Sequence, residues 1–183
     1  MKDMKLFHGD CLEVMKSIAD GTVDMILCDL PYGTTNLKWD ICIDLEKLWE
    51  HYERVIKPNG AILLFAQTPF DKILGASNIK LLKYEWIWEK TQATGHLNSK
   101  RMPLKAHENI LVFYKKLPIY IPQKTQGHKP VNTYTKTIKN QNKTGIYNCQ
   151  GKEISGGGAT DRYPRSVLKF CSDKQKEAYH PTQ

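Results

Sequence analysis

An α/β fold wound around a mostly parallel central sheet is what this sequence predicts, and three observations predict it. The first 90 residues alternate strand-like and helix-like patterns. Residues 23–28 and 61–66 are largely apolar runs, as in strands covered on both faces. A chain of 183 residues, 40% hydrophobic and 25% charged, can build one well-buried α/β domain and is short for two.

Residues 5–8 read as a short strand. Asp10 can cap a helix, with Glu13 three residues on completing a capping box. Cys11, Leu12, Met15 and Ile18 form the apolar stripe of that helix, and Asp20-Gly21 ends it. The run at 23–28 follows as a buried strand, and Asp29-Leu30-Pro31-Tyr32-Gly33 is a turn by composition. Asp44 opens a second helix, in which Leu45, Leu48, Trp49, Tyr52, Val55 and Ile56 fall at helical spacing. Pro58-Asn59-Gly60 should stop it, and residues 61–66 form the next strand. Thr68 reads as an N-cap with Pro69 at the first helical position, and that helix should run to about Ser77. Residues 81–89 and 108–115 are strand candidates with β-branched and aromatic content. Residues 91–105 and 117–161 are polar and basic and break the rhythm; loops of that length are usually functional or disordered. Ser155-Gly156-Gly157-Gly158 reads as a flexible connector.

The charge distribution points to a partner. The chain carries +8 overall, and residues 91–152 hold eleven basic residues against one acid, Glu108. A basic half beside a nearly neutral half suits a surface that displaces counterions from phosphates, and the interleaved Asn, Gln, Thr, Tyr and His can add base and phosphate contacts. Lys100, Arg101, Lys105, Arg162 and Arg165 are the residues expected to contact phosphate. The organisation expected is an α/β core over 1–90, a basic insert and strand over 91–161, and a closing segment over 162–183. The five cysteines are scattered with no C-x-x-C pair, so neither a disulfide framework nor a metal is expected; His8 and Cys11 have ligand-like spacing but no second pair. No apolar run reaches a bilayer-spanning length, and the N-terminus lacks a signal-peptide core. No membrane association is expected, and the location implied is cytoplasmic.

Asp29 follows the run at 23–28, so it should stand at the carboxyl rim of the sheet, where open α/β folds place ligands. Asp29-Leu30-Pro31-Tyr32 resembles the Asp-Pro-Pro-Tyr signature of S-adenosylmethionine-dependent DNA amino-methyltransferases. Further segments resemble that family in order: Gly9-Asp10-Cys11 upstream, then Trp88-Glu89-Lys90, then His107-Glu108-Asn109-Ile110-Leu111-Val112-Phe113. Tyr163-Pro164-Arg165-Ser166-Val167-Leu168 and the terminal His180-Pro181-Thr182-Gln183 look like the lead into the family's late cofactor motif. The resemblance covers nearly the whole chain, in the branch that places catalysis before cofactor binding.

The resemblance implies a Rossmann-like methyltransferase fold, S-adenosylmethionine as cofactor, double-stranded DNA as partner and a restriction-modification setting. It makes residues 1–90 the catalytic core, 91–161 the region of DNA target recognition, with the basic residues named above as DNA-binding, and 162–183 the start of the cofactor side; the catalytic residues it implies are Asp29, Leu30, Pro31 and Tyr32. Asp10, Cys11, Asp29, His180, Pro181, Thr182 and Gln183 would lie at the cofactor. Asp10 keeps a second reading as a plain helix cap. The chemistry suits these residue types. An exocyclic amine has its lone pair delocalised into the ring, and two acceptors on its hydrogens make the nitrogen more tetrahedral. The Asp29 carboxylate and the Leu30 carbonyl could supply both, while Pro31 removes a competing N–H. Tyr32 could stack on a base taken out of the duplex. Leu30 departs from the usual proline, but only its carbonyl is used. Cytosine-N4 members more often begin the motif with serine, so Asp29 leans the reading to adenine-N6. Cytosine-N4 transfer, RNA as the methylated nucleic acid, a non-catalytic DNA-binding remnant and a subunit of a split enzyme stay open.

The family's Phe-x-Gly-x-Gly loop has no counterpart here, since no strand-borne G-x-G occurs. The expectation is a fold incomplete at the C-terminus: a gene remnant, a piece of a longer protein, or a portion of an enzyme completed by self-association or by a second polypeptide that supplies the glycine loop.

Overall fold

The structure, a computed structural model, describes residues 4–33, 37, 40–137 and 153–170. Its contacts divide the chain into one unit that runs to Tyr120 and resumes at Ser166, and a second unit over Ile121–Arg165. The second unit therefore begins at Ile121, and residues 91–120 belong with the first.

In the first unit, Asp10 accepts from the Leu12 N–H at 2.8 Å and caps helix α1 (Cys11–Met15). The capping box is half made, because Glu13 turns to Lys16 at 2.7 Å instead of reaching back. Leu12, Met15 and Ile18 pack on the core, while Cys11 is exposed. The segment before α1 forms no strand: residues 4–8 lie outside any ladder, with Leu6 and Phe7 exposed. Among the described residues, strand β1 (Val23–Asp29) hydrogen-bonds to a neighbour on one side.

Asp44 accepts from the N–H groups of Glu46 and Lys47 and caps α2 (Leu45–Val55), which buries Leu48, Trp49, Tyr52 and Val55 as its spacing requires. The helix stops at Val55, not at Pro58. Ile56 is already extended (φ −72°, ψ 137°) and opens β2 (Ile56–Ala66), so Pro58-Asn59-Gly60 lie inside a strand. The register with β1 jumps there, from Val23 opposite Ile56 to Met25 opposite Ala61. Gly60 permits this kink: a Cβ at that position would stand 2.8 Å from the Asp24 carbonyl oxygen. Helix α3 (Phe70–Ser77) has Pro69 as its N-cap, and Thr68 stands one residue outside, its hydroxyl directed at Asp71.

Strand β3 (Leu82–Thr94) and strand β4 (Lys105–Phe113) are joined by a connection with a 3-10 turn over His96–Asn98. In the second unit β5 (Tyr134–Thr137) pairs antiparallel with β6 (Glu153–Gly156). Ser155 and Gly156 are thus strand residues, not a connector. Gly157 follows with φ 107°, its backbone against Asn132 where a Cβ would collide. Strand β7 (Val167–Lys169) returns to the first unit and pairs with β3.

The main sheet has the order β1-β2-β4-β3-β7. β1 and β2 are parallel, β4 is antiparallel to both β2 and β3, and β7 is parallel to β3. Four of the five strands therefore point the same way, with β4 reversed among them. Helices α2 and α3 cover one face. Trp49 packs on Phe113 at 4.8 Å between ring centroids and donates to the Ser77 hydroxyl at 2.8 Å, which ties the helices together. Leu48, Ile62, Leu64 and Leu74 are fully buried there; trimming such a leucine to alanine costs about 2–5 kcal/mol. The opposite face is less covered. Ala61, Leu63 and Phe65 on β2 are half-buried, and Met25 and Leu27 on β1 are 56% and 57% exposed. Among the described residues β1 thus stands at an edge and is covered on one face, where its apolar run predicts cover on both. An apolar run sets a strand's composition but not how many layers flank it.

Candidate active site

The carboxyl ends of β1, β2 and β3 meet at one rim, because these strands point the same way. Asp29 is the last residue of β1, and its side chain is exposed. The chain then turns through Leu30, whose side chain is buried in the core and anchors the turn. Pro31 and Tyr32 are half-buried. The Tyr32 hydroxyl returns to donate to Asp29 Oδ1 at 2.5 Å. Burial, this hydrogen bond, and the Asp29 and Glu108 charges push the Tyr32 phenol well above its usual range, so it stays a neutral donor. Gly33, with φ 66°, donates its N–H to the buried Asp40 carboxylate at 2.8 Å, which fixes the exit of the turn.

Two groups absent from the sequence reading border this turn. The Phe70 ring lies against the Tyr32 ring at 5.5 Å with a 30° interplanar angle. Behind it, Asp71 accepts from Asn109 Nδ2 on β4 at 2.8 Å. In the first turn of a helix an aspartate reads as an ordinary partner of the helix dipole, so sequence gives no sign that Asp71 is buried. Along the rim, Phe65 is the register partner of Asp29, and its ring meets the Trp88 ring edge-on at 6.1 Å. Lys90 and Glu108 pair at 2.6 Å with both side chains largely buried, and the Lys90 ammonium stands 5.5 Å from the Trp88 ring centroid. The Trp88-Glu89-Lys90 and His107-Glu108-Asn109 segments are therefore side by side.

The expected DNA-contacting residues are divided between the two units. Lys100 and Arg101 are exposed in the β3–β4 connection, at the same rim as Asp29, and Lys105 begins β4 there. Burial lowers the Lys105 ammonium pKa; the Glu108 charge opposes that shift and Lys90 adds to it. In the second unit Arg165 is exposed, whereas the Arg162 guanidinium donates to the carbonyls of Ala159, Asp161 and Lys129. Arg162 is thereby a loop clamp, with its donors aimed at backbone and not outward. Lys124 pairs with Asp161 at 2.8 Å and lies 4.2 Å from the Tyr163 ring centroid.

Of the residues expected at a cofactor, Asp10, Cys11 and Asp29 are described, while His180, Pro181, Thr182 and Gln183 lie outside the described residues. Asp10 and Cys11 are exposed at the start of α1. Leu12, the residue after Cys11, and Cys28, one residue before Asp29, pack against the same core cluster, and burial chiefly pushes the Cys28 thiol above its usual range. The α1 start and the β1 tip therefore share a neighbourhood. The exposed carboxylates of Asp10 and Asp29 suit ribose hydroxyls and a cationic sulfonium or ammonium, so the donor set fits one flank of S-adenosylmethionine. Among the described residues no cluster of three His, Cys, Asp or Glu side chains could hold a metal ion, and no helix is long and apolar enough to cross a membrane. A groove of about 770 Å³ between α2 and the end of α3 is lined by Glu46, Glu50, Glu53, Trp49 and Lys80. It contains neither Asp29 nor Tyr32, and its carboxylates would repel phosphate.

A family model described as DNA methylase, covering N6 and N4 methylases, matches residues 23–183. The type II methyltransferase M.HpaI of Haemophilus parainfluenzae is 25% identical over 203 aligned residues, covering 99% of this chain and 56% of that protein. The chain thus spans a little over half the length of this relative. Among solved structures, the PvuII DNA methyltransferase, described as cytosine-N4-specific, matches with a TM-score of 0.56 at 11% identity. That match covers 93% of this chain and 58% of the other, and it shows a shared fold. The M1.HpyAVI–SAM complex matches at a TM-score of 0.49 and 21% identity, over 67% of this chain and 60% of that one.

Proposed function

The chain belongs to the N6/N4 DNA methylase family, and on that premise we propose that its Asp29–Tyr32 turn captures the exocyclic amine of a flipped-out adenine in duplex DNA for N6 methylation. The observation that carries this reading is the placement of an exposed Asp29 carboxylate at a strand tip, next to the Leu30 carbonyl and hydrogen-bonded to Tyr32. The carboxylate and the carbonyl would each accept one amine hydrogen, which localises the nitrogen lone pair. Pro31 presents no N–H to compete for them. Positive charge gathers on the nitrogen as it gains the methyl group, and the Asp29 carboxylate stabilises that charge. The nitrogen then releases a proton to water at this open rim. Tyr32 offers its ring to the extruded base, and Lys100, Arg101 and Lys105 offer charge to phosphate at the same rim. S-adenosylmethionine supplies the methyl group when bound; Asp10, Cys11 and Asp29 would hold one flank of it.

The test is to incubate the chain with duplex DNA and S-adenosylmethionine and identify the modified nucleoside by mass spectrometry. N6-methyladenine is the expected product. N4-methylcytosine would overturn the adenine assignment, because the leading Asp29 alone supports it. A second reading, in which a further polypeptide or another copy completes the cofactor site, draws on the single flank that Asp10, Cys11 and Asp29 provide. Titration of the purified chain with S-adenosylmethionine separates the two. Binding at ordinary micromolar strength supports the self-sufficient enzyme, and its absence supports a site that a second chain completes.

A further inference from the structure

Asp71 is the most deeply buried carboxylate among the described residues, at 2% exposure, and the proposed transfer makes no use of it. It lies in the first turn of α3 and is fully engaged. Asn109 Nδ2 donates to it at 2.8 Å, the Lys72 N–H at 2.8 Å and the Thr68 hydroxyl at 3.3 Å, and the Lys72 ammonium stands 2.9 Å away. Burial pushes the carboxyl pKa up, but the bonds and charge of Lys72, with Thr68, outweigh it and hold Asp71 below the usual carboxylate range.

We propose that Asp71 and Asn109 are a positioning pair that sets the Phe70 ring behind Tyr32 and so fixes the stacking face offered to a captured base. This rests on the Asp29–Tyr32 turn being the base-capture site. The argument is geometric. Tyr32 has two restraints, its hydroxyl on Asp29 and its ring on Phe70. Phe70 precedes Asp71 in the chain and is itself buried. Asp71 is tied across the sheet to Asn109, whose register partner on β2 is Ala66, the last residue before the loop into α3. The pair therefore locks the loop from Ala66 to Phe70 against β4. A helix start needs no buried charge, and an apolar contact of similar volume often gives equal or greater stability. What a directional pair adds is one defined geometry, here at the residue beside the ring that backs Tyr32.

The whole 183-residue chain labelled with 3-fluorotyrosine tests this. The Tyr32 fluorine signal is assigned by its loss in Tyr32→Phe. Base capture is read from the fluorescence of 2-aminopurine at the target position, and DNA affinity separately by anisotropy. Asp71→Asn is expected to move the Tyr32 signal while leaving distant tyrosines in place. It should also weaken base capture about tenfold or more, equivalent to about 1.4 kcal/mol, with DNA affinity unchanged. Reversing the pair with Asp71→Asn and Asn109→Asp together should restore both readouts, and Phe70→Leu should reproduce the loss of capture. If Asp71→Asn does not fold, Asn109→Ser carries the same comparison. A folded variant with an unmoved Tyr32 signal overturns the proposal, as does failure of the reversed pair to restore that signal. If wild-type protein gives no 2-aminopurine response, the base-capture reading is at fault, and the fluorine signal alone decides the pair.

Discussion

The Tyr32 hydroxyl and an incoming base amine would compete for the same Asp29 oxygen, and two substitutions separate what the ring does from what the hydroxyl does. Tyr32→Ala removes both; base–aromatic stacking is worth about 1–3 kcal/mol, so capture of 2-aminopurine should weaken by at least about fivefold. Tyr32→Phe keeps the ring on Phe70 and frees the carboxylate, so capture should hold or improve. Equal losses in both variants would refute stacking. Asp29→Asn should abolish transfer without a change in melting temperature, because the side chain is exposed and an amide can still accept the Tyr32 hydroxyl. Asp29 and Tyr32 were legible in sequence because three residues of chain bring them together. Asp71 and Asn109 were not, since they are 38 residues apart and meet only after β4 pairs with β2.

Between elements, the tie that matters most to the candidate cofactor flank is Arg54. Its guanidinium, from the last turn of α2, donates to the carbonyls of Met15 and Ile18 and to the Asp20 carboxylate. The Arg54 carbonyl in turn accepts from the Gly21 N–H. Arg54 thus ties the chain that leaves α1, the helix that presents Asp10 and Cys11, to the end of α2. Arg54→Ala should cost about 1–3 kcal/mol in urea unfolding. It should also weaken S-adenosylmethionine binding under the same conditions in which Asp10→Asn does; retained affinity would detach α1 from the cofactor. Helix α2 was the most legible element. Its cap at Asp44 and its stripe from Leu48 to Val55 are both local, and the structure keeps them. Its end is not a local property: Pro58 and Gly60 are usual helix breakers, yet here they serve a strand that bulges past Asp24.

Across the whole molecule, charge and titration set the response to solvent. The basic residues at the rim should give salt-dependent DNA binding, and Lys100→Gln with Arg101→Gln should lower the slope of log affinity against log salt by about 1 for each phosphate that is no longer neutralised. An unchanged slope would remove both residues from the DNA interface. The buried phenols predict alkaline behaviour. Burial chiefly raises the Tyr32 and Tyr52 pKa values in the folded chain, and Cys28 adds to the shift of Tyr52. Unfolded tyrosines ionise near about pH 10, so stability is intact below that pH and falls as pH rises beyond it. Tyr52→Phe should flatten that fall in denaturant titrations between pH 9 and 11, values chosen to bracket the usual phenol range of about 10. The fold class was legible at this scale because alternation of strand and helix patterns survives any local error. Which strand would stand at an edge of an incomplete sheet was not, since sheet order is set by which strands find each other.

The reversed strand also sets an order of events during synthesis. β4 completes the sheet between β2 and β3 yet leaves the ribosome after both. At about 5–20 residues per second, the nascent chain carries residues 62–66 of β2 with one row of amides and carbonyls unpaired for several seconds, until Phe113 has been made. The late arrival of a β3–β4 hairpin, not the early helices, is then the step at which a newly made chain is open to trapping by its neighbours.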